Sequence, residues 1–146
     1  MCIRDSTLLV AVGGGGLIAG CAAAIGEGTK IVAVETEGTP TLHEALRAGR
    51  PVDVKISGIA ADALGASRIG VPNFEVARKL VRESVLVNDD AVRKAQRALW
   101  EDLHVIAEPA GATGLAALMA GAYRPAAGER VATLICGANT DPGSVV

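Results

Sequence analysis

Four consecutive glycines, Gly13 to Gly16, follow the apolar run Leu8-Leu9-Val10-Ala11-Val12 and precede a small-residue stretch that begins at Leu17. Residues without Cβ let the backbone take positive φ and come close to a ligand. The free N–H groups of a following helix point, with its dipole, toward an anion. Such a junction reads as a phosphate site rather than a linker, because a linker would not be bounded by a buried-type strand and a helix with an Ala/Gly face.

The order of apolar segments extends this reading to a fold. A strand over 8–12, a helix over 17–25, a strand over 30–34 ending in Glu35 and a helix over 40–48 stopped by Gly49 make a βαβα pattern. Residues 50–72 read as a long connection with a short helix near 60–64, a stretch open to function. After Pro72 come a helical segment, a short strand 85–87, a helix 90–104 capped by Asn88 or Asp89, a helix 110–122 and a last strand 131–135. Strands separated by helices imply an α/β fold, a doubly wound, mostly parallel sheet with helices on both faces.

Composition narrows the function classes. The 146 residues are half hydrophobic but include one Trp, one Tyr and one Phe, so the core must be built from Ala, Val, Leu and Ile. A net charge of −2 without clustered Lys or Arg argues against nucleic acid or an anionic membrane as partner. The uncharged stretch 7–26 is long enough to span a bilayer, yet its glycines fit neither a spanning helix nor a signal peptide. Cys2, Cys21 and Cys136, an odd number without a secretory signal, suggest a reducing, cytoplasmic setting.

Two chemistries fit the glycine loop. Dinucleotide binding matches Gly14-x-Gly16-x-x-Ala19, with Glu35 closing the next strand where a ribose-binding acid belongs. A cofactor with a single phosphate would use several loop N–H groups at once.

Four segments in order carry a resemblance: Val12-Gly13-Gly14-Gly15-Gly16-Leu17-Ile18-Ala19-Gly20, Val32-Ala33-Val34-Glu35, Glu108-Pro109-Ala110-Gly111-Ala112 and Ile135-Cys136-Gly137-Ala138-Asn139-Thr140-Asp141. Together they resemble the second half of a pyridoxal-phosphate enzyme of the serine/threonine dehydratase and serine racemase group, of fold type II. The resemblance implies that Gly13, Gly14, Gly15, Gly16 and Leu17 hold the cofactor phosphate. It also implies that Cys136 meets the pyridine nitrogen and that Glu108 lies beside the ring. Ala138 stands where the family's turn has a second glycine.

Relatives place a divalent (Mg or Ca) or monovalent cation near the second strand's end, which makes Glu35 the sole candidate metal ligand. The carboxylate that would join it is replaced by Thr39, Pro40 and Thr41. Ala61-Asp62-Ala63 matches a substrate-side stretch with Ala63 in place of glycine, while His43 and His104 lack the ligand spacing of a metal site. Read as residues alone, Glu108 before Pro109 is a helix cap and Cys136 a small buried hydrophobe.

None of the four lysines, Lys30, Lys55, Lys79 and Lys94, stands in the family's motif for the lysine that binds the cofactor, so no catalytic residue is assigned. The resemblance begins at Thr7. Residues 7–146 are therefore expected to be the C-terminal part of a dehydratase-like domain, and 1–6 an artificial start. The implied activity is elimination of water and ammonia from serine- or threonine-type hydroxy amino acids by a homo-oligomeric parent, with the isolated chain inactive. Two alternatives are an NAD(P)-binding oxidoreductase domain and a non-catalytic pseudoenzyme that binds a phosphorylated ligand.

Overall fold

The computed structural model describes residues 6–145. The proposed artificial start, Ser6 excepted, lies outside the described residues. Strands β1 (Thr7–Ala11), β2 (Lys30–Thr36), β3 (Val81–Val87) and β4 (Val131–Thr133) form one parallel sheet in the order β3-β2-β1-β4. Leu9 stands between Val32 of β2 and Thr133 of β4. The central strands are nearly continuous Val, Ile, Leu and Ala because both of their faces are covered.

Residue parity along these strands sorts the core into two layers. Leu9, Val32 and Val34 face α5 (Asp89–Leu103) and α6 (Pro109–Met119), meeting Val92, Ala95, Leu99, Ala112 and Ala116. Val10, Val12, Ile31 and Ala33 face the other way, toward Ile18 and Ala22 of α1 (Gly16–Ile25), Leu42 and Ala45 of α2 (Thr41–Ala48), and Phe74 and Ala77 of α4 (Val71–Leu80). The expected doubly wound α/β sheet with helices on both faces is therefore the observed fold.

The differences in detail have physical causes. β3 begins at Val81, immediately after α4, and not at Val85. It is a half-exposed edge strand paired only with β2 among the described residues, so Arg82 and Glu83 are tolerated within it and hide the strand pattern. The short helix expected near 60–64 is α3 (Ala61–Leu64). α6 stops at Met119, with Gly121 at φ +70° just beyond. Asn88, not Asp89, caps α5: its side chain accepts from the Ala91 N–H at 2.9 Å.

Glu35 has a structural role at the start of α2. At the end of β2 its side chain is fully buried and turned onto the start of α2, where its two oxygens accept from the N–H groups of Leu42 and His43, each at 2.7 Å. A carboxylate so engaged caps α2. No group of three or more His, Cys, Asp or Glu suited to a metal occurs among the described residues. His43 meets the Ser84 hydroxyl at 3.1 Å, and His104 packs edge-on against Trp100.

This packing can be tested at two buried positions. Leu9→Ala, at a fully buried central position, is expected to lower stability by about 2–5 kcal/mol in urea unfolding. Burial raises the Glu35 pKa from 4.5 to about 7, with the backbone N–H bonds opposing it. The native state then holds more protons than the unfolded chain between about pH 4.5 and 7, so stability falls as pH rises through that window, by about 2–4 kcal/mol. Unfolding measured across this range should show the slope in the parent and lose it in Glu35→Gln.

Candidate active site

The chain leaves β1, runs along one face to β2 and β3, and returns on the opposite face to reach β4 on β1's other side. The carboxyl ends of β1 and β4 therefore mark a topological switch point, where connections diverge and leave a crevice. The glycine run sits there. Gly13 to Gly15 form the turn and Gly16 opens α1.

The turn is held from behind. The Gly14 carbonyl accepts from Asn73 Nδ2 at 2.8 Å and from the Gly70 N–H at 3.4 Å, which ties it to the start of α4. Gly15 has φ +86°, and a Cβ there would lie 2.8 Å from Ile69 Cδ1, so backbone conformation and space both select glycine. No side chain caps α1. Among the described residues, none of the N–H groups from Gly13 to Leu17 donates to a backbone acceptor. The result is a set of orphan donors at the positive end of a helix.

A second element closes the opposite wall. α6 packs closely on β4 and the segment after it because Gly114 and Gly111 lack side chains: a Cβ on Gly114 would meet Thr133 Oγ1 at 2.0 Å, and one on Gly111 the Gly137 carbonyl at 2.6 Å. The Glu108 N–H donates to that carbonyl at 3.1 Å. Glu108 occupies the cap position of α6, but its side chain makes no capping bond there and lies against Gly137. The cap expected from the sequence is thus absent, and Pro109 removes one of the donors it would have served.

These walls enclose a cleft of about 250 Å³ lined by Gly13, Gly14, Gly15, Gly16, Leu17, Glu108 and Cys136. The glycine run and Cys136, far apart in sequence, meet here. Ala11, Ala63, Leu64 and Ala110 complete the lining. Asn73 and Leu64 went unread in the sequence: an Asn on an exposed helix carries no signal until its carbonyl partner is known. Cys136 is an exposed free thiol. Desolvation, and then the charge of Glu108, raise its pKa from 9.0, so it remains S–H at neutral pH.

The donor set suits a phosphate monoester attached to a small ring. Backbone N–H groups stand at one wall, and a neutral thiol lines the same cleft. No Lys or Arg lines the cleft among the described residues, so its anion-directed donors are backbone N–H groups.

Comparison with known proteins agrees. Residues 4–137 match the family model of the pyridoxal-phosphate dependent enzymes. Phenylserine dehydratase of Ralstonia pickettii is 38% identical over 137 residues, covering 92% of this chain and 42% of the relative. Maize serine racemase superposes with a TM-score of 0.87 at 31% identity, covering 99% of this chain and 46% of that one. The T.th. threonine deaminase superposes with a TM-score of 0.85 at 31% identity, covering 94% of this chain and 51% of that one. The chain thus spans about half or less of the length of these proteins. None of these matches favours the dinucleotide alternative, whose ribose acid, Glu35, is buried beneath α2. From its glycine loop, its sheet and these matches, the chain belongs to the pyridoxal-phosphate dependent enzyme family.

Proposed function

We propose that this chain is the phosphate-binding and ring-nitrogen part of an ammonia-lyase that converts serine- or threonine-type hydroxy amino acids to 2-oxo acids and ammonia. The observation that carries the reading is the single cleft shared by the orphan N–H groups of Gly13 to Leu17 and the thiol of Cys136. The names of the relatives, a phenylserine dehydratase, a threonine deaminase and a serine racemase, supply the substrate class. A homo-oligomeric, cytoplasmic parent is part of the proposal. Residues 7–146 form the C-terminal part of its cofactor domain.

Pyridoxal phosphate, when bound, supplies electron withdrawal from the substrate Cα, the chemistry that elimination of a β-hydroxyl requires. In this assignment Gly13 to Leu17 hold the phosphate through N–H donors and the helix dipole. Cys136, kept protonated by its surroundings, offers the ring nitrogen a weak S–H donor and no negative charge. It therefore does not hold that nitrogen protonated as a carboxylate would. With the cofactor bound, a neutral partner at that nitrogen would moderate the ring's electron withdrawal. Glu108, at the same wall, limits how anionic the Cys136 side becomes by opposing thiolate formation. None of the four lysines lines the cleft among the described residues, and the proposal assigns the cofactor-binding lysine and its proton transfer to the remainder of the whole protein.

Equilibrium dialysis of the chain against pyridoxal phosphate tests the site. Binding should weaken about tenfold or more in Gly15→Ala, in line with the ~1–2 kcal/mol that left-handed backbone costs a residue with a Cβ. Retention of a nicotinamide dinucleotide in place of pyridoxal phosphate, or equal binding by the variant, would overturn it. The chain with added cofactor should yield 2-oxo acid from L-serine or L-threonine no faster than free cofactor does, since loss of a proton-transfer base costs about 10²–10⁴-fold. Steady turnover abolished by changing one of the four lysines would show that the base lies within the chain.

A further inference from the structure

A second cleft, of about 260 Å³, lies between α5 and the C-terminal turn, and its lining includes Arg93, Arg97, Gln96, Thr140 and Ser144. Arg93 and Arg97 are four residues apart on α5 and so are neighbours on one helix face, where like charges repel. Elsewhere Lys30, Arg47, Arg68 and Arg78 each hold a carboxylate at 2.6–2.9 Å. Arg93 and Arg97 form no ion pair among the described residues, although Asp89 and Glu101 stand one turn away on the same helix. Asp89 is engaged by the Ile59 N–H at 3.1 Å.

Among the described residues the lining contains no carboxylate. Asp141, close by in sequence, accepts from the Gly143 N–H at 3.0 Å in its own turn. Gln96 is buried, and its Nε2 donates to the Ala107 carbonyl at 2.9 Å, which fixes the cleft floor. The Ser144 hydroxyl gives its proton to the Asp141 carbonyl at 2.6 Å. Thr140, 3.3 Å from the Ser144 oxygen, must then donate there. That bond is long and weak, so the Thr140 proton can be redirected into the cleft at little cost.

We propose that this cleft binds a phosphate-type dianion, with the two guanidinium groups taking its oxygens and the Thr140 hydroxyl donating a third contact. Planar guanidinium groups match tetrahedral oxyanions through paired N–H donors, and two of them balance a dianion's charge. The cleft adjoins the one lined by Glu108 and Asp62, with which it shares Ile59, Pro109 and Thr140. It is separate from the glycine loop and does not depend on that loop's assignment.

The test is an NMR titration of the chain with sodium phosphate against sodium chloride at equal ionic strength, following arginine Nε–Hε signals assigned through Arg93→Gln and Arg97→Gln. Both signals should move together and saturate with phosphate but not with chloride. The double variant should lose tenfold or more in phosphate affinity, while Arg124→Gln loses none. Phosphate taken up at the glycine loop would be reported separately, by the amides of Gly13 to Leu17. A parallel titration with glycerol phosphate identifies the source: tighter saturation marks an esterified ligand, equal or weaker saturation the free ion, and either supports the site. Identical responses to phosphate and chloride, or a double variant that binds as tightly as the parent, would overturn the proposal. Pyridoxal phosphate binding should be unchanged in the double variant, which keeps this outcome distinct from that of the glycine loop.

Discussion

Burial of β1 and β2 on both faces is the constraint on which the rest of this structure depends. Leu9 and Val32 need helices on one side, and Val10 and Ala33 need them on the other. A parallel sheet can meet that demand only by sending its crossover connections over opposite faces. The chain does so by building outward from β1 to β3 and then returning to add β4 on the far side. The crevice between the ends of β1 and β4 is a geometric by-product of covering the core. It exists before any particular side chain is placed in it.

The helix ends show how the fold separates structure from function. α2 begins with its donors taken by the buried carboxylate of Glu35, and α5 with the Asn88 side chain. α4 and α6 carry proline in the first turn, where its missing N–H removes a donor that would need a partner. α1 has neither device. Its donors open to the crevice behind a turn that Asn73 and Gly70 hold by the carbonyl of Gly14. Uncompensated backbone polarity at a strand-to-helix turn is costly in a closed core and useful beside a cleft.

Small residues set the second wall. The Ala- and Gly-rich face of α6 lets the helix approach β4 closely enough to hold the Cys136 segment opposite the glycine loop. Glu108, which the sequence presents as a helix cap, is turned by the same close packing against Gly137. Desolvation first, and then the nearby charge of Glu108, raise the Cys136 pKa above its ordinary value.

The sequence by itself determined the order of strands and helices, the parallel two-faced sheet and the glycine turn, because these are encoded in local periodicity and in residues without a Cβ. It read β3 as shorter than it is, since Arg82 and Glu83 interrupt the apolar pattern of an edge strand that tolerates them. What only the tertiary structure decided depends on distant partners. Glu35 ends a strand in a way that fits a ligand-binding acid, and only the approach of Leu42 and His43 makes it a cap. Asn73 is an unremarked polar residue until the carbonyl of Gly14 arrives from 59 residues away in sequence. Local pattern records how each segment buries its own apolar face, whereas the hydrogen-bond partner of a polar side chain is chosen by whichever segment the fold brings against it.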